Sequence, residues 1–128
     1  GHHVFVEATL SAPVETGQVL DALTEWSNKR RFNHLPSAPH HPLMVVDSVD
    51  VTAHLHADGQ DFPAQPDPSV DFSAGMAVVV GGVEVLNPNR VRFEAFSHNT
   101  LRGAAGGVVL LAELAHAMEL ISPMDPHP

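Results

Sequence analysis

The stretch GMAVVVGGVEVLNPNRVRFEAF, residues 75–96, carries the strongest structural signal in the chain. Its first part, 75–86, has the valine density of a buried strand, and its last part, 90–96, alternates apolar and polar side chains as a half-buried strand does. The NPN at 87–89 is typical of a tight turn, so the two strands are predicted to form an antiparallel hairpin. Gly81 and Gly82 indicate a β-bulge or a close approach of another backbone segment.

A segment rich in glycine and alanine follows the hairpin. SHNTLRGAAGGVVLLAEL, 97–114, starts with a polar corner and continues as a helix from about Leu101. Two compatible interpretations explain the small residues at 103–107: they let the helix lie close against a sheet, or they leave N–H groups at the helix start facing a ligand's negative or carbonyl group. Asn99 is a candidate cap for the same helix. The later half of the segment carries an apolar helical stripe formed by Val108, Leu111, Ala112 and Ala115.

The remainder of the chain alternates short elements with loops. We predict a strand at 4–10, a helix at 14–26, a proline-interrupted loop at 27–42, a short strand at 42–47 and an irregular region at 48–74. At 128 residues the chain is long enough for one core and too short for two. The predicted fold is therefore a single α+β domain over residues 1–128, with a mixed, largely antiparallel sheet and helices packed on one face.

Composition excludes several classes of protein. The formal charge of −9 with only six lysines and arginines argues against nucleic-acid binding, which needs clustered cations. No apolar run is long enough to span a membrane, and no signal peptide is visible, so we expect a soluble, cytoplasmic protein. The absence of cysteine excludes disulfides, cysteine zinc sites and a cysteine nucleophile within the chain.

Ten histidines raise the question of a metal site. His54 and His56 alternate on one segment with Asp58 and Asp61 nearby, and His40 or His41 would have to complete the ligand set. A His-x-His pair arises readily by chance in so histidine-rich a chain. We therefore predict no metal site and keep a metal-binding protein as the weakest functional alternative.

Two further motifs, in the right order, lead to a family. LPSAP at 35–39, followed by HHPLMVVD, and GMAVVVGG followed by SHNT and GAAG resemble the aspartate-semialdehyde dehydrogenase family, in particular its archaeal and fungal-type branch. The resemblance implies the dimerisation and substrate-side domain of an NADP-dependent enzyme of amino-acid biosynthesis. That enzyme reductively dephosphorylates an acyl phosphate through a cysteine thioester. The cysteine and a nucleotide-binding half that holds most of the NADP would lie outside this chain, which we expect to be inactive alone.

The resemblance also assigns roles to individual residues. His2 corresponds to the family's catalytic histidine, unless that residue lies upstream and Gly1–His3 is a tag remnant. Asn99 and, after it, Gly103 correspond to positions beside the nicotinamide of the cofactor. The family implies a homodimer, and 75–86 is our candidate for part of its interface.

Departures from the family pattern keep other functions open. Gly82 replaces an arginine of the family motif, and FPAQPDPS at 62–69 is only a weak echo of another. Malonyl-CoA reductases resemble the same branch, so the small-molecule substrate is either an aspartyl phosphate or a CoA thioester. The alternative function is a non-catalytic dimerisation or interaction module derived from the same domain.

Overall fold

The fold is a four-stranded sheet with two helices. The computed structural model describes residues 1–28, 32–58 and 67–122. In chain order its elements are β1 (His2–Thr9), α1 (Thr16–Asn28), β2 (Leu43–Val45), β3 (Val78–Asn87), β4 (Arg90–Ser97) and α2 (Ala105–Ala117). The strands lie in the order β1-β4-β3-β2, with β2 parallel to β3 and the other pairs antiparallel. The predicted α+β class and the mixed, largely antiparallel sheet are confirmed.

The hairpin of β3 and β4 forms as predicted, with a bulge at the two glycines. Pairing is regular up to Gly81 opposite Glu94 and resumes only at Glu84 opposite Arg92. Gly82 has a φ of 59°, which L-residues with side chains rarely adopt. A Cβ on Gly81 would lie 3.0 Å from the Val49 backbone nitrogen. The bulge and the close backbone approach therefore both occur, one at each glycine.

The sheet packs against α1 and contributes to one buried hydrophobic cluster. α1 packs against β2 and β3, and Ser27 fixes its last turn because the Ser27 hydroxyl donates to the Leu43 carbonyl at 2.8 Å and accepts the Leu43 N–H at 3.1 Å. The core is formed by buried side chains, with partly buried apolar residues of the 46–55 loop packed against it. The buried members are Met44, Ala57, Ala77, Val79 and Phe96.

α1 begins two residues later than the apolar pattern predicts. The first residue before the helix is Glu15, whose backbone N–H donates to the Gln18 side-chain oxygen at 2.8 Å. The Glu15 carbonyl in turn accepts the N–H groups of Gln18 and Val19. This reciprocal pattern is half of a capping box, and it fixes the helix start at Thr16.

α2 begins at Ala105 instead of Leu101, because the residues between them form wide turns. Gly103 N–H donates to the His98 carbonyl and Ala105 N–H to the Thr100 carbonyl, each five residues back. The predicted cap at Asn99 is wrong: the cap position is Ala104, which makes no side-chain cap bond. The small residue Gly106 does approach other atoms closely, but these are Met76 Sδ and the Leu101 carbonyl rather than a strand.

Within the described residues, α2 makes no close backbone approach to any strand. It lies instead against the loop that precedes β2, where Ser37 hydrogen-bonds to Glu113. No helix in this part of the chain combines the length and hydrophobicity needed to cross a bilayer.

Candidate functional site

The LPSAP, GMAVVVGG and SHNT segments meet around the turn between β4 and α2. Gly75, the first residue of GMAVVV, has a φ of 75°. A Cβ there would lie 2.8 Å from Leu101 Cδ1 and 3.3 Å from the Leu55 carbonyl oxygen. The glycine is therefore needed both for its backbone conformation and for its contact with the SHNTL turn.

A pair of hydrogen bonds ties the LPSAP loop to α2. The Ser37 N–H donates to Glu113 Oε2 at 3.0 Å, and the Ser37 hydroxyl donates to Glu113 Oε1 at 2.9 Å. Ser37 is only 3% exposed, so Glu113 satisfies two donors that have little access to water. The two segments that carry the family motifs are thus held together by one carboxylate.

A cavity of about 340 Å³ opens beside this contact. Its polar lining comes from Ser37, Asp71 and Glu113, and Leu101 connects it to the SHNT turn. A second open groove of about 460 Å³, between α1 and the sheet, has no ionisable side chain in its lining. Of these two, only the smaller cavity carries ionisable groups that could orient a polar ligand.

His98 organises the SHNT turn from its centre. Its Nδ1 accepts the N–H groups of Thr100 at 3.2 Å and Leu101 at 3.1 Å, which requires the proton to be on Nε2 in the neutral ring. The His98 ring stacks on His56 with centroids 5.4 Å apart. Burial, and after it the neighbouring His56, holds the pKa of His98 below its usual value. The neutral form that the turn requires is therefore favoured.

The sequence-predicted site residues lie at one end of the sheet. His2 pairs with Ser97 in the β1–β4 ladder, so its backbone lies beside the start of the turn. The side chains of His2 and Asn99 are exposed, as is Gly103. A Cβ on Gly103 would lie 2.6 Å from the Asn99 carbonyl oxygen, so the glycine is required by the turn itself.

The structure corrects one interpretation of this turn. We expected N–H groups at the helix start to face a ligand, but four of them have partners within the chain. Thr100 and Leu101 donate to the His98 ring, and Gly103 and Ala105 donate to backbone carbonyls. The turn exposes the side chains of Asn99, Thr100 and Arg102 to solvent.

The histidine-rich segment is used for folding. His54 is buried, and its Nδ1 accepts the Asp50 N–H at 3.0 Å; burial lowers the pKa of His54, with Asp50 opposing the shift. The buried Asp58 carboxylate accepts the Ser73 hydroxyl at 3.1 Å. Among residues 1–28, 32–58 and 67–122, no group of three or more His, Asp or Glu could hold a metal ion. Asp61, the fourth candidate ligand, lies outside the described residues.

Two residues that organise the site were not singled out from the sequence. Glu113 is the only acidic residue of α2, and an isolated carboxylate in an otherwise apolar helix is a signal for a specific partner. The second is His98, whose ring accepts two backbone N–H groups of the SHNT turn. Its position at the centre of the turn depends on side-chain geometry that spacing alone does not give.

Comparison with known proteins finds enzymes that are similar to most of this chain. Over 114 residues, 89% of the chain, the sequence is 34% identical to the malonyl CoA reductase (NADP) of Metallosphaera sedula, covering 29% of that protein. It is 33% identical over 120 residues to the aspartate-semialdehyde dehydrogenase of Aspergillus fumigatus, covering 90% of this chain and 30% of that protein. The enzyme of the same name from Methanothermobacter thermautotrophicus is 31% identical over 116 residues, again covering 89% of this chain and 30% of the relative.

No protein-family model matches the chain. The chain spans about 30% of the length of these three relatives. Both enzyme names agree with the resemblance carried by LPSAP, GMAVVVGG and SHNT. At 31–34% identity over about 90% of its length, the chain matches a C-terminal portion of the aspartate-semialdehyde dehydrogenase family.

Proposed function

We propose that this chain is the dimerisation and substrate-side domain of an NADP-dependent semialdehyde dehydrogenase. The observation that carries the proposal is the double hydrogen bond between Ser37 and Glu113, which holds the LPSAP loop against α2. Gly75, the first residue of GMAVVVGG, lies against Leu101 of the same turn. Motifs far apart in sequence are thereby assembled around one exposed turn.

The residues at this turn fit a role beside a cofactor. The Asn99 amide is exposed at the tip, and an amide side chain can both donate to and accept from the carboxamide of a nicotinamide ring. The reduced cofactor, NADPH, would supply the hydride when bound. Gly103 would keep the turn tight enough to present Asn99, and His2, at the start of β1, would hold or move a proton at its imidazole. The cysteine nucleophile would come from the rest of the enzyme, because this chain has none.

Two acyl substrates remain candidates within this function. One named relative is a malonyl CoA reductase and the others are aspartate-semialdehyde dehydrogenases. With an acyl phosphate, thiolate attack would release phosphate and form the thioester that hydride then reduces; with a CoA thioester, the leaving group would be the CoA thiolate. Steady-state assays of NADPH oxidation with each substrate class would separate the two.

A homodimer is the proposed assembly, and of the predicted segment 75–86 only the second half remains accessible to a partner, with Leu86 38% exposed. Val79 and Val80 are buried within the chain itself, so the first half of β3 is not available to a partner. The exposed face of β1 carries Phe5, which is 73% exposed. We place the contact on that face, and light scattering of the wild type and of Phe5→Glu tests it: a dimer that becomes a monomer supports the assignment.

The non-catalytic module stays as a second candidate because of Gly82. The bulge there is built around a positive φ, and a Cβ would lie 2.9 Å from Glu94 Oε1. The arginine of the family motif therefore does not fit this local backbone without strain. A chain that lacks this cation could have lost the reaction while keeping the fold.

The test uses the native gene product purified from its source cells. We expect an intact mass well above that of this chain, with NADP-dependent reduction of an acyl phosphate or CoA thioester. We also expect Asn99→Ala to raise the KM for NADPH more than the KM for the acyl substrate. A native product that dimerises yet binds no NADP would establish the non-catalytic module instead. The 128-residue chain alone should show no reductase activity, and measurable turnover by that chain would contradict the assignment of the nucleophile to another segment.

A further inference from the structure

The side chain of His98 closes a hydrogen-bonded ring around the backbone of Asn99. Its Nδ1 atom accepts the N–H groups of Thr100 at 3.2 Å and Leu101 at 3.1 Å, and both donors lie beyond Asn99 in the chain. A polar side chain that bonds to the backbone two or three residues ahead stabilises a local turn in this way. One ring atom of His98 therefore restrains the backbone that carries the Asn99 side chain.

Other contacts restrain the ends of this turn. The His98 carbonyl accepts the Gly103 N–H at 3.1 Å. Leu101 is held from the side, since a Cβ on Gly75 would lie only 2.8 Å from Leu101 Cδ1. The N–H groups of the two residues that follow Asn99 are bonded to the His98 ring. The orientation of the peptide group directly after Asn99 therefore depends on that ring.

We propose that His98 is a positioning residue for the nicotinamide cofactor, which orients the Asn99 amide through the two hydrogen bonds to its own Nδ1 atom. The Asn99 side chain is exposed, so its direction depends on the turn that carries it more than on packing. The proposal rests on the proposed function, because Asn99 must have a cofactor to contact. It adds a residue that acts on cofactor binding through another side chain.

The protonation state of His98 decides whether these hydrogen bonds exist. Nδ1 can accept a hydrogen bond only in the neutral ring that carries its proton on Nε2. In the doubly protonated ring, Nδ1 is a donor that faces two further donors, and both bonds are lost. Burial is the largest cause that lowers the pKa of His98. The turn therefore keeps its acceptor over a wider pH range than a fully solvated histidine would allow.

Two other parts of the chain bring titratable groups to His98. The His56 ring, in the 51–56 turns, stacks on the His98 ring with centroids 5.4 Å apart, and the amino group of Gly1 acts from the start of β1. Asp67 interacts in turn with His56. Both direct neighbours are cations when protonated, so each disfavours a second proton on His98. The stack also limits rotation of the His98 ring and keeps Nδ1 aimed at the two N–H groups.

The test compares two substitutions of His98 in the native gene product. In His98→Asn the side-chain oxygen lies at the same distance from Cβ as Nδ1, so an acceptor for the turn is kept. In His98→Gln the oxygen lies closer to the position of Nε2, so that acceptor is lost. His116→Asn, at an exposed position of α2, is the matched control. Calorimetry measures the dissociation constant of NADP⁺ between about pH 5.5 and about pH 8, and circular dichroism checks that each variant is folded.

At about pH 8 we expect His98→Gln to raise the dissociation constant of NADP⁺ about tenfold, and His98→Asn and His116→Asn to raise it less than about threefold. Below about pH 6.5 the dissociation constant should rise more steeply in the wild type and in His116→Asn than in His98→Asn. The phosphate of the cofactor itself titrates near about pH 6, and because it does so with every variant, the comparison is made between variants at each pH.

Two results would overturn the role of His98 and leave the proposed function in place. One is a dissociation constant in His98→Gln that equals that of the wild type or of His98→Asn. The other is a pH dependence in His98→Asn as steep as in the control, and this comparison decides alone if His98→Gln does not fold. A wild-type product that binds no NADP⁺ would overturn both the proposed function and the role of His98, and the wild type alone reveals that outcome.

Discussion

Removal of the Glu113 carboxylate is the sharpest test of how the site is assembled. In Glu113→Ala, the N–H and hydroxyl of Ser37 both lose their acceptor, and Ser37 is only 3% exposed. Each buried donor left without a partner costs about 1–3 kcal/mol. The cavity beside Glu113 admits water, which can hydrogen-bond to the two donors and brings their combined cost toward the lower end of this range. We expect the free energy of unfolding to fall by about 2–4 kcal/mol.

Three further variants show how much of this loss comes from each hydrogen bond and how much from a change of surface charge alone. In Glu113→Gln one oxygen can still accept, whereas the amide group faces a donor, so the loss should be about half that of Glu113→Ala. Ser37→Ala removes only the hydroxyl, and combined with Glu113→Ala it should show a coupling of about 1 kcal/mol. Glu84→Ala breaks an exposed ion pair with Arg92 and serves as the control, with an expected cost below about 1 kcal/mol.

The assay is urea unfolding followed by circular dichroism, together with hydrogen exchange at the Ser37 amide. The amide should exchange faster in Glu113→Ala than in the control variant, because its acceptor is gone. A loss below about 0.5 kcal/mol for Glu113→Ala, or unchanged protection of the Ser37 amide, would refute the argument that this carboxylate holds the loop to α2.

Three further predictions concern histidines and glycines. Burial holds the pKa values of His98 and His54 below their usual value of 6.5. Just below pH 6.5 the unfolded chain therefore binds more protons than the folded chain does. The free energy of unfolding should be constant above pH 6.5 and fall as the pH decreases below it. His98→Asn keeps an acceptor for the turn without titrating, and an equally large pH dependence in this variant would exclude His98 as a source. Gly75→Ala should cost about 1–3 kcal/mol because of its positive φ, measured by urea unfolding. Gly17→Ala, with open space around the added methyl group, should stabilise α1 by about 0.5–1 kcal/mol. If Gly75→Ala also stabilised the protein, the argument from the positive φ of Gly75 would be wrong.

The family assignment and the fold support each other through specific contacts. The LPSAP and SHNT motifs are about sixty residues apart in the sequence, and the structure joins the segments that carry them through Ser37 and Glu113. The catalytic role of His2 and the cofactor contacts of Asn99 and Gly103 remain predictions. Kinetics on the native gene product will decide them.

The elements with strong local patterns were predictable. Valine density and the alternation of apolar and polar residues predicted the hairpin of β3 and β4. Gly81 and Gly82 indicated the bulge, because a positive φ and a close backbone approach both favour glycine. The start of α1 was missed by two residues, because the Glu15–Gln18 cap decides it and the apolar period does not. The start of α2 was missed by four residues, because His98 supplies the acceptor that holds a wide turn open.

The sequence by itself determined the α+β class, the central hairpin, the family resemblance and the absence of a cysteine from these 128 residues, because these depend on composition, period and motif order. The tertiary structure decided which side of α2 faces the chain, since the helical stripe and the face around Glu113 are both apolar enough to be buried. It also decided that the N–H groups of the turn before α2 bond to His98 and to backbone carbonyls instead of facing a ligand. These outcomes depend on contacts between residues distant in sequence or on side-chain geometry, which local patterns do not specify.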